Sequence, residues 1–254
     1  RNLALTLWDS LPDKRLYQLA DKGQLVEPKM VERESRRMVR DSRSRQKMKM
    51  FFLDWLKAER AASSAKDKAV YPDFDYELVS DLQTSLLLYL NDVVWTDNSD
   101  YRQLFLADYL YVNKRIGDFY GIPVHGHGFD KVSGALGNRS GVVTHPFLMS
   151  GLAYNKDSSP IHRGVFIAKQ ILGVSLRQPP EDVKPLTEEF NPKMTTRERV
   201  EHQTKEIGCM SCHQVINPLG FSLENYDAVG RFRTHEKSQP IDVTSVYTTP
   251  EGEE

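Results

Sequence analysis

The only two cysteines of this chain lie three residues apart, in the segment Cys209-Met210-Ser211-Cys212-His213. On a short helix this spacing places the two thiols about one turn apart, where they can add to the two vinyl groups of a haem. The imidazole of the next residue then serves as an axial ligand of the iron. The segment therefore predicts one covalently bound haem c, attached through Cys209 and Cys212, with His213 as the proximal ligand.

Two other chemistries could use the same side chains. A thiol pair at this spacing can act as a redox dithiol, but no thioredoxin-like βαβ pattern surrounds it. Zinc could be bound by Cys209, Cys212, His213 and His202, whereas structural zinc sites usually contain two closely spaced ligand pairs. Haem attachment is favoured over both alternatives, because the motif combines both cysteines of the chain with the adjacent histidine.

The ligand on the far side of the iron is not fixed by the motif, because no methionine follows Met210. Upstream, His145 and Met149 lie in an apolar stretch, and His235 is the only histidine after the motif. We take Met149, His145 and His235 as candidate distal ligands, with an open sixth position as the alternative. The competing roles are core packing for Met149 and a hydrogen-bonded loop position for His145.

The surroundings of the haem can also be predicted. Three residues follow the motif at a spacing that allows the chain to return to the haem ring, and we expect them to pack against it: Phe221, Leu223 and Tyr226. Guanidinium groups bind carboxylates through paired hydrogen bonds, so arginines are candidates for binding the haem propionates. These candidates are Arg163, Arg231 and Arg233. Simple exposure to solvent is the competing role for each arginine.

The composition is that of a soluble globular protein: 254 residues, 39% hydrophobic and 27% charged, with a net charge of −1. The near-zero charge argues against a general nucleic-acid binder, which would carry a basic excess. No apolar run approaches the roughly 18 to 20 residues of a membrane helix, so we expect no transmembrane segment. The chain starts without an initiator methionine and inside an amphipathic pattern, and we interpret it as part of a longer polypeptide.

Apolar residues recur at helical spacing in the first half of the chain, and Gly and Pro punctuate the second half. We expect a mostly α fold: a helical bundle over residues 1–123, a Gly-rich connector over 124–140, and a cytochrome c-like single-haem module over 141–254. The prolines of residues 178–192 indicate a further extended connector. The longest helix is predicted over residues 74–95. Its predicted core-facing residues are Leu78, Val79, Leu82, Leu86, Tyr89, Leu90 and Val93.

Several segments together resemble a known family. They are Leu5 to Asp13, Tyr111 to Asn113, Tyr120 to Pro123, Ser159 to Val165, and the Cys209 to His213 motif followed by Asn217-Pro218-Leu219-Gly220-Phe221 and by Glu224 to Arg231. The chain is similar in these segments to the planctomycete-type exported cytochrome c proteins, which are built from consecutive domains of unknown function. The resemblance covers nearly the whole chain. It implies a periplasmic or extracellular haem protein of planctomycetes or related bacteria.

Three functions are compatible with these features. The first is electron transfer through one six-coordinate haem to a redox partner protein. The second is a haem enzyme, such as a peroxidase-like oxidoreductase, in which an open sixth position binds the substrate. In the third, the haem stabilises the carboxy-terminal module and the helical half binds other subunits of a larger assembly. Electron transfer is the favoured hypothesis.

Overall fold

A computed structural model describes residues 1–96, 99–134, 138–176 and 193–248. About 55% of these residues are helical, and the strands form two sheets of two strands each. The expectation of a mostly α fold is therefore confirmed. The chain divides into a first unit, Arg1–Trp55, and a second unit, Leu56–Glu254. The connector expected over residues 124–140 lies within the second unit, and the division into bundle, connector and haem module stays a prediction.

The first unit contains four helices separated by short turns. They are α1 (Asn2–Trp8), α2 (Lys14–Asp21), α3 (Pro28–Val39) and α4 (Ser42–Trp55). Asp13 caps α2, because its carboxylate accepts a hydrogen bond from the backbone N–H of Leu16 at 2.9 Å. The helices enclose a small core of Ala4, Trp8, Leu16 and Met38.

The second unit contains the remaining elements. They are α5 (Ala58–Ala62), α6 (Tyr76–Trp95), α7 (Gln103–Leu106), β1 (Tyr109–Val112), α8 (Lys114–Tyr120), β2 (Asp130–Ser133), α9 (Pro146–Gly151), α10 (Pro160–Phe166), α11 (Thr196–Thr204), α12 (Ile207–Phe221), β3 (His235–Glu236) and β4 (Gln239–Pro240). A π-helical turn, Ile167–Ile171, continues α10. No helix in the described part of the chain is both long enough and apolar enough to cross a membrane.

The central helix of the second unit is α6. It begins after Asp75, whose side chain accepts a hydrogen bond from the N–H of Leu78 at 2.8 Å. All seven residues predicted to face the core are buried, and Ser85 is buried with them. The helix packs against α5, α8, α9 and β1. The predicted longest helix and its apolar face are therefore confirmed.

The Gly-rich stretch expected to be a loop contains a strand. β2 pairs antiparallel with β1, with Tyr109 opposite Ser133 and Val112 opposite Asp130. The four residues of β2 have little apolar alternation, so their sequence does not indicate a strand. The pairing depends on the hydrogen-bonding edge that β1 offers, which is a long-range contact. The proline-rich connector predicted over residues 178–192 lies outside the described residues.

Two glycines allow α10 and α12 to approach each other closely. A Cβ atom at Gly164 of α10 would overlap the backbone carbonyl of Ile216, and one at Gly220 of α12 would overlap the carbonyl of Pro160. At each contact a side chain would meet rigid backbone. Among the elements that the structure describes, α10 and α12 make the most extensive contact. Helix α12 can therefore lie this close to α10 only because these two residues have a hydrogen atom in place of a side chain.

Replacing Gly164 or Gly220 with Ala should lower the free energy of unfolding by about 1–3 kcal/mol, because the two helices must separate. Gly208→Ala is the matched control. Gly208 also lies in α12, but no atom lies within 4 Å of a Cβ built there. Its replacement should leave stability unchanged or raise it by up to about 1 kcal/mol, because Ala is the better helix former. Urea unfolding measures all three variants, and equal losses in all of them would contradict the close-contact explanation.

Candidate functional site

The cysteine motif lies in the first two turns of α12, which begins at Ile207. Both Cys209 and Cys212 are free thiols, and both are partly exposed. His213 follows on the same helix and is likewise partly exposed. The helical spacing assumed for the motif is therefore present, with the thiols about one turn apart.

His213 lines a cavity of about 550 Å³ between α12, α11 and the extended segment of residues 241–248. One face of α12 contributes Met210, His213, Gln214, Asn217, Pro218 and Phe221 to its wall. The opposite wall contains Arg197, Glu201, Thr204 and Lys205 from α11 and its C-terminus, together with Ser245 and Val246. A cavity of this size lies within the usual range for cofactor sites, about 300–1,000 Å³.

The imidazole of His213 is held by its neighbour one turn later. Its Nδ1 atom lies 2.9 Å from Oδ1 of Asn217, and Nδ2 of Asn217 donates to the hydroxyl of Thr204 at 2.8 Å. Asn217 is only 7% exposed. With Nδ1 bound in this way, Nε2 is the ring nitrogen that can ligate a metal.

Two cationic side chains of the cavity wall were not predicted from the sequence. Arg197 stacks over the ring of Phe221, 4.7 Å from its centroid, and donates to the backbone carbonyls of Asp242 and Thr244 at 2.9 Å each. Lys205 lies two turns further along, at the end of α11. Arg197 and Lys205 are eight residues apart, which is about two helical turns, and they lie just before the motif. This spacing places both on one side of a helix and is the sequence signal that could have identified them.

The predicted propionate arginine Arg163 lies elsewhere, with 0% of its surface exposed. Its Nη1 atom donates to the carbonyls of Leu223 and Tyr226 at 2.8 and 2.7 Å, and its Nη2 atom to the carbonyl of Asp227 at 2.9 Å. It also contacts the Glu224 carboxylate at 3.3 Å. Arg163 therefore fastens the turn after α12 to α10 from inside the protein.

The other two predicted propionate arginines also have protein partners. Arg233 donates to the Ser158 hydroxyl at 3.0 Å and to the Glu224 carboxylate at 3.3 Å. Burial raises the pKa of Glu224, and the charges of Arg163 and Arg233 oppose that effect. Arg231 stacks on the ring of Phe119 at 3.9 Å. None of the three lines the cavity beside His213 among the residues described, and their propionate role stays a prediction.

The predicted packing residues are all buried, but they do not share one surface. Phe221 lines the cavity and is 3% exposed. Leu223 and Tyr226 lie beyond the end of α12, and the Tyr226 hydroxyl donates to the carbonyl of Asn138 at 2.7 Å. Of the three residues, Phe221 is therefore the one that contacts the space beside His213.

The candidate distal ligands lie outside the described wall of this cavity. Met149 is fully buried in α9. His145 precedes α9, and both of its ring nitrogens have partners: Nδ1 accepts from the N–H of Phe147 at 3.2 Å, and Nε2 lies 3.3 Å from the Ser85 hydroxyl. His235 is exposed in β3. The structure does not bring these side chains together with His213, and their ligand role stays a prediction.

The side chains of the motif include the groups that covalent haem attachment requires. Within the described ranges, no group of three or more His, Cys, Asp or Glu side chains converges as a metal cluster. His202, the fourth zinc ligand considered, lies 3.5 Å from the Lys205 ammonium. Haem attachment needs two thiols and one imidazole on the proximal face of the haem, with cations near the propionates. The α12 face carries the thiols and the imidazole, and the cations Arg197 and Lys205 line the same cavity, where Arg197 is ion-paired with Glu201 at 2.9 Å and with Asp242 at 3.2 Å.

Comparison with known proteins identifies two families in the chain. Residues 1–122 match PSD4, described as a protein of unknown function (DUF1592), and residues 139–236 match PSCyt3, described as a protein of unknown function (DUF1588). Both are domains of the planctomycete-type cytochrome c domain family. The resemblance found in the sequence is therefore confirmed for these two domains. No curated protein and no solved structure matches the chain significantly.

The burial of His145 predicts a loss of stability in acid. Burial, reinforced by the charge of Arg139, lowers its pKa to about 3 from an ordinary value of 6.5. Its neighbours from α6 are the Ser85 hydroxyl and the Tyr89 ring. Between these pKa values the unfolded chain binds the extra proton, so stability falls as the pH falls below about 6.5. The slope is at most about 1.4 kcal/mol per pH unit.

Urea unfolding between pH 7 and pH 4 measures this contribution as a difference in slope. His145→Gln should show a weaker fall in stability with acid than the wild type, whatever its absolute stability. The exposed His235→Gln serves as the control and should follow the wild-type slope. Parallel curves for wild type and His145→Gln would contradict the burial of a neutral imidazole.

Proposed function

We propose that this protein is a c-type haem protein that transfers electrons outside the cytoplasm through one covalently bound haem. The observation that carries the proposal is the arrangement on α12. Two free thiols lie about one turn apart, and the next imidazole lines a cavity while Nδ1 is bound to Asn217. The match to two cytochrome c-related domains supports the same class of protein.

Each residue of the site has a role in holding the group. Cys209 and Cys212 would hold the haem through two thioether bonds, one to each vinyl group, with each thiol hydrogen transferred to the neighbouring vinyl carbon. His213 would offer Nε2 as a ligand of the iron, and Phe221, which lines the same cavity, would offer an apolar contact. Arg197 and Lys205, which line the cavity, would offset the charge of the propionates. When bound, the haem supplies an iron that takes up and releases one electron at a time.

The exposure of the motif favours electron transfer over a closed catalytic pocket. Met210 is 38% exposed, and both thiols are partly exposed. A group attached here would have an edge near the protein surface, where a partner can approach. We propose a redox partner protein, or other subunits of a larger assembly, as the electron donor and acceptor.

The proposed attachment chemistry also indicates a compartment. Covalent haem attachment takes place on the outer side of the cytoplasmic membrane, and the chain has no cysteines besides those of the motif to compete for it. A periplasmic or extracellular location follows from the proposal. Cell fractionation of the native host, with the haem signal recovered outside the cytoplasm, is the expected result.

The decisive experiment is production of the chain in a host that attaches haem c, followed by visible spectra and a haem-stained denaturing gel. The wild type should retain haem after denaturation and show sharp low-spin bands when reduced. Cys209→Ser combined with Cys212→Ser should abolish the stained band, because no thioether bond can form. Circular dichroism checks that the variant remains folded.

Contradicting results are equally specific. A wild type without haem, in which metal analysis finds zinc, would overturn the haem assignment. A high-spin spectrum with rapid carbon monoxide binding would overturn electron transfer and favour the enzyme with an open sixth position.

Met149→Leu preserves volume and removes little stability, so conversion of its spectrum from low-spin to high-spin would identify Met149 as the distal ligand.

A further inference from the structure

Three side chains and a backbone carbonyl form one continuous chain of hydrogen bonds behind His213. The Thr204 hydroxyl lies 2.8 Å from the backbone carbonyl of Val200. Nδ2 of Asn217 lies 2.8 Å from the same hydroxyl, and Oδ1 of Asn217 lies 2.9 Å from Nδ1 of His213. The chain crosses from α11 to α12, and its middle members, Thr204 and Asn217, are buried.

The Val200 carbonyl lies at the far end of this chain of hydrogen bonds and fixes the direction of each of them. A backbone carbonyl can only accept, so the single hydroxyl proton of Thr204 must point to Val200. The Thr204 oxygen can then only accept from Asn217, so the amide NH₂ group faces Thr204. The amide oxygen consequently faces His213 and accepts from it. Nδ1 of His213 therefore carries the proton, and Nε2 keeps its lone pair.

The opposite orientation would leave an unfavourable contact. If the Asn217 amide were flipped, its oxygen would face the Thr204 hydroxyl and would take the hydroxyl proton as its donor. The two oxygens of Thr204 and Val200 would then remain 2.8 Å apart without a hydrogen between them. The flipped orientation loses the Thr204–Val200 hydrogen bond, worth about 0.5–1.5 kcal/mol, and leaves two oxygens facing each other, which favours the first orientation.

We propose that Thr204 and Asn217 are positioning residues that fix the tautomer and ring orientation of His213 so that Nε2 is available as a ligand. The identity of the ligated group rests on the proposed function, whereas the tautomer does not. An outer partner of this kind orients a ligating histidine and raises its basicity. Because the acceptor is a neutral amide rather than a carboxylate, the imidazole is held in place while its basicity is raised only moderately.

Nitrogen NMR of the haem-free full-length chain, about two units above the ordinary histidine pKa of about 6.5, tests the tautomer directly. The wild type should show a protonated Nδ1 and an unprotonated Nε2 for His213. Thr204→Val removes the hydroxyl, frees the amide to rotate and should give a mixture of both tautomers. Thr204→Ser keeps the hydroxyl and should restore the wild-type spectrum. A protonated Nε2 in the wild type, or identical spectra for the Val and Ser variants, would overturn the proposal.

The haem-loaded chain provides a second readout, its reduction potential. Asn217→Asp places a full negative charge on the acceptor and should lower the potential by about 59 mV. That shift corresponds to a tenfold change in a one-electron equilibrium constant. Gln239→Glu is the matched control, because it adds the same charge at an exposed position of β4 outside the described cavity wall, and it should leave the potential unchanged. Equal potentials for the wild type and Asn217→Asp would contradict the coupling between Asn217 and the ligand.

The two measurements separate the two proposals. If the wild type shows the protonated Nδ1 but no haem can be attached, the positioning of His213 stands and the haem function fails. If haem attaches but the tautomer of the haem-free chain is unaffected by Thr204→Val, the haem function stands and the positioning role fails. Unfolding curves for each variant show whether a change in the spectrum reflects loss of the fold.

Discussion

The close contact between α10 and α12 is the constraint on which the candidate site depends. Gly164 and Gly220 allow each helix to meet the backbone of the other, so no side chain separates them. Helix α12 carries the motif. Its position relative to α11 follows from this contact and from the hydrogen bond that Asn217 donates to Thr204. A cavity lined by both helices results. The packing at the two glycines therefore fixes where α12, which carries His213, lies against α10.

A charged residue of α10 lies in the interior beside this contact. Arg163, one residue before the contact glycine in α10, is enclosed completely, and desolvation of its charge is unfavourable. Three backbone carbonyls and the Glu224 carboxylate offset that cost. These bonds fix the turn after α12, which limits where the chain can go beyond Phe221. Arg163 acts through the fold around the site, while Arg197 lines the cavity itself.

Local patterns predicted a large part of the fold. The core face of α6 was identified from helical spacing, because a long amphipathic helix repeats its signal over several turns. β2 was missed, since its four residues have no pattern of their own and depend on pairing with β1. In the candidate site, the cysteines and His213 were predicted from their spacing alone. Arg197 and Thr204 were missed because they approach His213 only through the packing of α11 on α12.

The sequence by itself determined the chemistry that one helix can present: two thiols about one turn apart, an adjacent imidazole and, four residues later, an amide on the same face. Those relations follow from helical geometry within a single element. Only the tertiary structure decided which residues face that imidazole, and it placed Arg163 inside the protein and Arg197 at the cavity. The physical reason is that burial and hydrogen-bond partners depend on contacts between distant segments, which local spacing does not encode.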